Sequence, residues 1–386
     1  MKKALIAAAV AGAFAAPSLM AADLSTNIYW GQGLAFGDNT TTTAGVDSTT
    51  DINSIRTGGG NRLMMTWTDT LDNGLGLTAY LSMGNLGQAD GGNSGNNVAL
   101  RNSNIAISGD FGRVAFGTNE HFTETDMIND PLFADYANTA AAIYQQSVGN
   151  TGFAFVRRDS RSVWWNSNDM NGLTLKAAYI MGVQASADAD QDGHQIGVQY
   201  SSGPLTVGVN QAQYNDYNAA GAESGAVARV DPDDATAIIP GVSAAAVAGT
   251  EASITSYRVH YDMGIVMLKA GMWQIEQSGL TGAGINEDAT AFEVTGSTLF
   301  VSMPLSAGTL YGEFTQTGDQ DATTAAGTQA LVDSGSDAFD IGFIMPMNAN
   351  VNAFVKYGER ETGIRYDATA GGTEYSELMF GYQLIY

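Results

Sequence analysis

The stretch "NRLMMTWTDTLDNGLGLTAYLSM", residues 61–83, holds two period-2 segments joined by a tight turn. In the first, Leu63, Met65 and Trp67 oppose Arg62, Thr66 and Thr68. In the second, Leu75, Leu77, Ala79, Leu81 and Met83 share one side, with Thr78, Tyr80 and Ser82 on the other. Successive side chains change sides along a β-strand, so each segment reads as a strand with one apolar and one polar face. "LDNG" (71–74) between them supplies Asp, Asn and Gly, which tolerate turn dihedrals. The spacing predicts an antiparallel hairpin.

The unit recurs. Further tight turns fall at "SGDFG" (108–112), "NDMNG" (168–172), "SSGP" (201–204), "DMG" (262–264), "PLSAG" (304–308) and "PMNAN" (346–350). Longer Gly/Asn/Asp/Thr-rich stretches lie between them, at roughly 38–58, 87–97, 120–150, 184–193, 215–253, 277–288, 318–336 and 360–373. Seven short connections alternating with eight long ones require sixteen strands, and the even number brings both termini to one rim. No window sustains a 3.6-residue period, and no apolar run is long enough to span a membrane as a helix. Trimmed connections at one end and elaborated ones at the other are the arrangement of an outer-membrane barrel, where lipid meets one face and water the other. A 39-residue stretch such as 215–253 would be out of place inside a compact soluble domain, and it reads here as an external loop.

"LTLKAAYIM" (173–181) repeats the pattern, with Leu173, Leu175, Ala177 and Tyr179 opposing Thr174 and Lys176. Two strands resist it. Arg101 shares its side with Ile105 and Ile107, and Arg158 shares one with Val156 and Trp164, so alternation alone does not orient them. The chain ends on "ELMFGYQLIY" (377–386), whose stripe of Leu378, Phe380, Tyr382, Leu384 and Tyr386 is unusual for a terminus. As the closing strand of a barrel, paired with "DLSTNIYWGQGLAFG" (23–37), it has a lipid-facing stripe and leaves no open edge. The expected fold is therefore all-β: a 16-stranded antiparallel transmembrane β-barrel over residues 22–386, with short periplasmic turns, long external loops and, as argued below, an inward-folded third loop.

Residues 1–21 read as a secretory signal peptide, with cationic Lys2 and Lys3, an apolar run from Ala4 to Ala16, and cleavage after Ala21 or Ala22. Its removal takes two of the 16 Lys+Arg and none of the 40 Asp+Glu, so the mature chain is more acidic than the −24 of the whole. Such a surface favours cations and disfavours nucleic acid. With no Cys, disulfides and thiolate metal sites are excluded.

Catalytic signals are weak. His121, His194 and His260 are far apart, and no nucleophile elbow, zinc-protease or phosphate-loop motif is present, so the expectation is no enzyme and no cofactor. One exception is "DADQDG" (188–193), where Asp188, Asp190 and Asp192 precede Gly193 in calcium-loop spacing. Gln199 stands where such a loop needs its bidentate Glu, which favours a solvated acidic loop over a weak external Ca²⁺ site. The stretch 120–150 differs from the other long ones. It mixes Glu120, Glu124, Asp126, Asp130 and Asp135 with Phe122, Leu132, Phe133 and Tyr136, and "TAAAIYQQS" within it suits a short helix. Folding inward against the wall buries its apolar residues and brings its carboxylates into the lumen, opposite basic residues of the flanking strands.

At these residues the chain resembles the sixteen-stranded general porins of proteobacterial outer membranes. "RNSNIAISGDFGRVAFG" (101–117) is similar to that family's fourth and fifth strands, "SVWWNSNDMNGLTLKAAY" (162–179) to its sixth and seventh, and "TDM" followed by "DPLF" to the acidic tip of its third loop. The resemblance implies a homotrimer of water-filled channels with wall arginines facing loop carboxylates. Carried over by position, Arg62, Arg101 and Arg157 form the basic wall, and Asp126 and Asp130, with Glu124 beside them, the acidic loop. It places Arg101 inward on condition that the outer face of that strand packs on a neighbouring subunit. Trp164 and Trp165 stand where relatives carry basic residues, and Tyr386 where they have Phe. It also implies that Phe380, Tyr382 and Tyr386 signal to the barrel-insertion machinery, in a membrane of lipid and lipopolysaccharide. The expected function is passive diffusion of small hydrophilic solutes and ions with a modest cation preference. The rivals are a channel specific for a sugar, dicarboxylate or amino acid, helped by Tyr136 and Tyr144, and a secreted adhesin or Ca²⁺-binding surface protein.

Overall fold

The computed structural model describes residues 23–43, 46–57, 61–84, 99–123, 158–181, 192–217, 229–231, 234–239, 250–278, 291–324, 327–331, 335–362 and 372–386. Among these residues twenty-one strands run in chain order, and sixteen of them form one ring. The ring strands are β1 (Asp23–Thr43), β3 (Arg62–Thr70), β4 (Gly76–Gly84), β5 (Ala99–Gly109), β6 (Gly112–Glu120), β7 (Arg158–Asn166), β8 (Leu173–Met181) and β9 (Asp192–Ser202). They continue with β10 (Leu205–Tyr217), β13 (Thr250–Asp262), β14 (Met267–Ser278), β15 (Ala291–Leu305), β16 (Gly308–Thr317), β19 (Ser336–Pro346), β20 (Val351–Thr362) and β21 (Thr373–Ile385). The others are β2 (Val46–Thr57), β11 (Arg229–Asp231), β12 (Asp234–Ile239), β17 (Gln320–Thr324) and β18 (Gly327–Leu331).

Each ring strand pairs antiparallel with the next. The ring closes where β21 pairs β1, from Ile385 opposite Tyr29 to Thr373 opposite Thr41. At the rim, Ile28 N–H donates to Tyr386 O (2.6 Å) and Tyr386 N–H to Ile28 O (2.9 Å). Asp23, the first described residue, and Tyr386 thus both sit at the rim of the short turns, and no strand edge of the ring is left open. Every short turn falls where the sequence places it. In "NDMNG" Asn171 (φ 57°) and Gly172 (φ 90°) are both left-handed, the conformation a two-residue hairpin of matching twist needs.

The long connections depart from expectation. Residues 38–58 are not an irregular loop: β1 runs on to Thr43, and β2 pairs with it from Thr57 opposite Gln32 to Val46 opposite Thr43. Their polar composition reports water on both faces, while the β-branched threonines still favour an extended backbone. A second hairpin, β17–β18, occupies much of 318–336, and a third, β11–β12, lies within 215–253. Between β2 and β3 the ladder on β1 is interrupted, and there Gly31 N–H donates to the side-chain oxygen of buried Asn61 (2.7 Å).

Directly opposed residues share a face, so the registers sort inside from outside. Leu63, Met65 and Trp67 stand opposite Ile28, Thr26 and Leu24 on the outside. Leu378, Phe380, Tyr382, Leu384 and Tyr386 are all exposed there, and the Phe380 ring stacks on Phe36 with centroids 5.9 Å apart. Among the described residues, the apolar stripe read from the sequence is the outer surface of the barrel.

Candidate channel interior

The inner face carries the charge. Arg62, Arg101, Arg113, Lys176, Arg258, Lys269, Lys356 and Arg360 lie on it. Among the residues whose side chains are described, the strand carboxylates there are Glu313, Asp340 and Glu377, with Asp23 and Asp262 at strand ends. Acidic residues are prominent on the outer face toward the rim of the long connections. Asp337 stands opposite Glu361, Glu361 opposite Glu374, and Asp38 opposite Asp51, all exposed. The chain's net −24 is therefore not the charge of its described inner wall.

Arg101 reaches the inside by a backbone irregularity. Ser82 is opposite Asn102 and Met83 opposite Leu100, so Arg101 is the extra residue of a β-bulge. The bulge leaves Leu100 exposed and turns Arg101 inward, 8% exposed. Its side chain crosses Gly84, where a Cβ would meet Arg101 Cδ at 2.4 Å, so that position accepts no larger residue without moving the arginine. No subunit contact on the outer face is needed to orient it, which corrects the condition attached to it above. A second shift, between Gly117 opposite Ser162 and Asn119 opposite Asp159, coincides with left-handed Arg161 (φ 56°). Alternation counted from Trp164 therefore does not extend to Arg158. The two tryptophans divide between faces: Trp164 is buried inside, and outward Trp165 donates to Phe111 O (2.8 Å).

The third long connection enters the lumen immediately after β6. His121, Phe122 and Thr123 are buried against side chains of distant strands. Phe122 N–H donates to Gln195 Oε1 on β9 (3.0 Å), and Ser256 Oγ on β13 donates to Thr123 Oγ1 (3.2 Å). The Phe122 ring meets Trp164 edge-on at 4.5 Å and lies 5.5 Å from Lys176 Nζ. His121 stacks on Tyr214 of β10, centroids 6.1 Å apart, and its Nδ1 accepts from Thr123 N–H (3.2 Å). Full burial holds the His121 imidazole neutral, its pKa pushed down to about 3. These three residues thus start the connection on the inside of the ring, against the arc from β7 to β13, in the direction an inward fold takes.

Of the other site residues expected from sequence, Arg62 faces inward opposite Tyr29. Glu124, Asp126, Asp130 and Arg157 lie outside the described residues, as do residues 1–22, Tyr136, Tyr144, Asp188 and Asp190. Asp192 opens β9, where its carboxylate accepts from Tyr179 OH (3.1 Å) and Asn215 Nδ2 (3.0 Å).

Sequence reasoning passed over the wall from β13 to β21. There Lys356 Nζ is 3.1 Å from Asp340 Oδ1, both side chains nearly fully buried, and Asp340 stands opposite buried Glu313. Beside them Tyr375 OH donates to Glu377 Oε2 (2.7 Å), and Arg360 lies 5.2 Å over the Tyr375 ring. The available signal was alternation of Glu313, Asp340, Lys356 and Glu377 against Phe314, Ile341, Val355 and Leu378.

A closed ring with an apolar outer stripe, a charged inner face and a segment entering its lumen defines a membrane-spanning channel barrel. Three solved structures share the fold at low identity. The anion-selective porin from Comamonas acidovorans is 15% identical, with TM-score 0.65 over 95% of this chain and all of that one. The trimer form of Vibrio cholerae OmpT is 13% identical, at 0.62 over 95% and 100%, and the outer membrane channel DcaP of Acinetobacter baumannii 9% identical, at 0.63 over 96% and 99%. No curated protein sequence matches the chain. A family model described as Gram-negative porin matches residues 4–332. The chain belongs to the Gram-negative porin family and is a multi-pass channel protein of the bacterial outer membrane.

Proposed function

We propose that this channel passes small hydrophilic solutes and ions by passive diffusion, with a modest preference for cations and no enzymatic activity. The observation that carries the reading is the inward turn at His121–Thr123, which starts the third long connection inside the lumen. Glu124, Asp126 and Asp130 follow that turn within seven residues and narrow the path from one side, facing Arg62, Arg101 and Arg157. The acidic external rim supports the cation preference by concentrating cations at the mouth. In planar bilayers under a KCl gradient the reversal potential then takes the sign for K⁺, and replacing Asp126 and Asp130 with Asn moves it toward zero. A reversal potential of the chloride sign removes the preference, and absence of ohmic conductance removes the channel reading.

The functional unit in this proposal is a homotrimer seated among outer-membrane lipid and lipopolysaccharide. A trimer form is known for Vibrio cholerae OmpT, which shares the fold. Its insertion reads the terminal strand, where the Phe380, Tyr382 and Tyr386 rings are all exposed on one face. Deleting Tyr386 also removes both hydrogen bonds to Ile28, and the yield of heat-modifiable barrel in membranes falls; full yield argues against this signal.

A further inference from the structure

Several inward side chains of this barrel lie sideways, across a glycine of the next strand. Arg101 does so over Gly84, Trp273 over Gly296 and Tyr311 over Gly342, each within 2.5 Å of where a Cβ would stand. Those three side chains are buried. Arg258 repeats the arrangement and is only half-buried. Arg258, Gly208 and Gln199 are directly opposed across β13, β10 and β9. The Arg258 stem crosses Gly208, where a Cβ would lie 2.9 Å from Nε, 3.2 Å from Cγ and 3.6 Å from Cδ. Its Nη2 donates to Gln199 Oε1, on a strand two spacings or roughly 10 Å away. The side chain therefore runs along the wall instead of standing into the lumen.

Its level in the wall gives this posture a consequence. Two positions farther from the short turn, Ser256 stands opposite Asn210 and donates to Thr123, so the third connection rests on the neighbouring row. A solute that has passed that connection meets the row of Arg258 next. The three heavy atoms nearest a Cβ at Gly208 all belong to Arg258, and none to the backbone. A larger residue there is accommodated by moving a flexible side chain, while β10 keeps its ladders with β9 and β13. Little room remains along the wall for the moved arginine. Ser256 with Asn210 and His260 with Thr206 occupy the rows on either side. On its other flank Arg258 faces Gly271, two positions from Lys269 on the same face of β14, where a second cation is disfavoured.

We propose that Gly208 sets the bore of the channel on the short-turn side of the third connection, by giving Arg258 a slot along the wall. With a larger residue at 208 the arginine stands into the lumen and narrows the path, most severely for the larger neutral solutes. The inference rests on the channel reading. It is steric, and depends neither on which other groups pair with Arg258 nor on the sign of the channel's selectivity.

Gly208→Val tests this in single channels and in liposomes that swell with sugars of increasing size. Conductance in KCl should fall about twofold, and uptake of a disaccharide should fall by more than that of a monosaccharide. In G208V/R258A both should return close to wild type, because the displaced side chain is gone. Gly312→Ala on the outer face, where a Cβ meets only Asp340 O at 3.6 Å, should change neither. Unchanged conductance and sugar uptake in G208V channels of normal heat-modifiability overturn the inference, and so does an equal loss in G208V and G208V/R258A. If G208V does not fold, the milder Gly208→Ala is compared with G208A/R258A by the same criteria. A wild-type protein without ohmic conductance would instead count against the channel reading.

Discussion

Two arcs of the inner wall handle charge in opposite ways. Along β16–β21 the charges meet inside the protein: Lys356 with Asp340, Tyr375 with Glu377, and Arg360 over Tyr375. Along β8–β14 the cations Lys176, Arg258 and Lys269 stand half-buried, Arg258 on Gln199 and the two lysines over the Phe122 and Phe300 rings, with Glu313 acting on Lys269 at longer range. Burial explains the difference. Charges that lose water must be matched at close range, whereas charges still wetted by the lumen can remain in excess of one sign. The first arc matches its charges at close range within the wall, and the second holds its charges only half-buried.

The largest effect is expected from unmatching the buried arc. Asp340→Leu leaves Lys356 buried without its partner, and breaking such a pair costs about 3–5 kcal/mol. The temperature at which the folded band disappears from detergent gels should drop markedly, and D340L/K356M should recover much of the loss. Lys269→Met on the half-buried arc should shift that temperature far less. Equal losses in the two arcs would mean that burial does not divide them.

Acid probes the segment that packs on the half-buried arc. His121 is neutral when folded, with a pKa of about 3 against about 6.5 in an unfolded chain. Below pH 6.5 the unfolded chain takes up a proton that the folded one does not. Stability from this residue is therefore complete above pH 6.5 and falls as the pH drops toward 3. Barrel melting followed between pH 7 and 4 should decline, and His121→Asn should flatten that decline. A smaller effect concerns the break beside β1. Asn61→Ala leaves Gly31 N–H without its acceptor at a cost of about 1–3 kcal/mol, read from the same gels. An unchanged melting temperature would show that water replaces the amide.

How far the fold was legible follows from the same alternation. Residues 61–83 and 377–386 read correctly because a strand between lipid and water must alternate, and nothing else in them competes. Arg101 misled because one bulge residue reverses the count, and no residue type announces a bulge there. The threonines of 40–43 read as loop because composition reports solvent, not backbone. In the candidate site, Arg62 was legible by alternation, but the row that carries Arg258 was not. Its members Arg258, Gly208 and Gln199 come from β13, β10 and β9, and only the registers bring them together.

The sequence by itself determined the strand count, the alternation of short and long connections, and the apolar stripe that faces lipid. Those follow from local periodicity and turn chemistry, which each segment carries alone. The tertiary structure decided which charges are matched in the wall, where the third connection enters, and that an acidic chain carries much of its positive charge on its inner face. Those depend on bulges and cross-strand registers between segments remote in sequence, and no single segment contains that information.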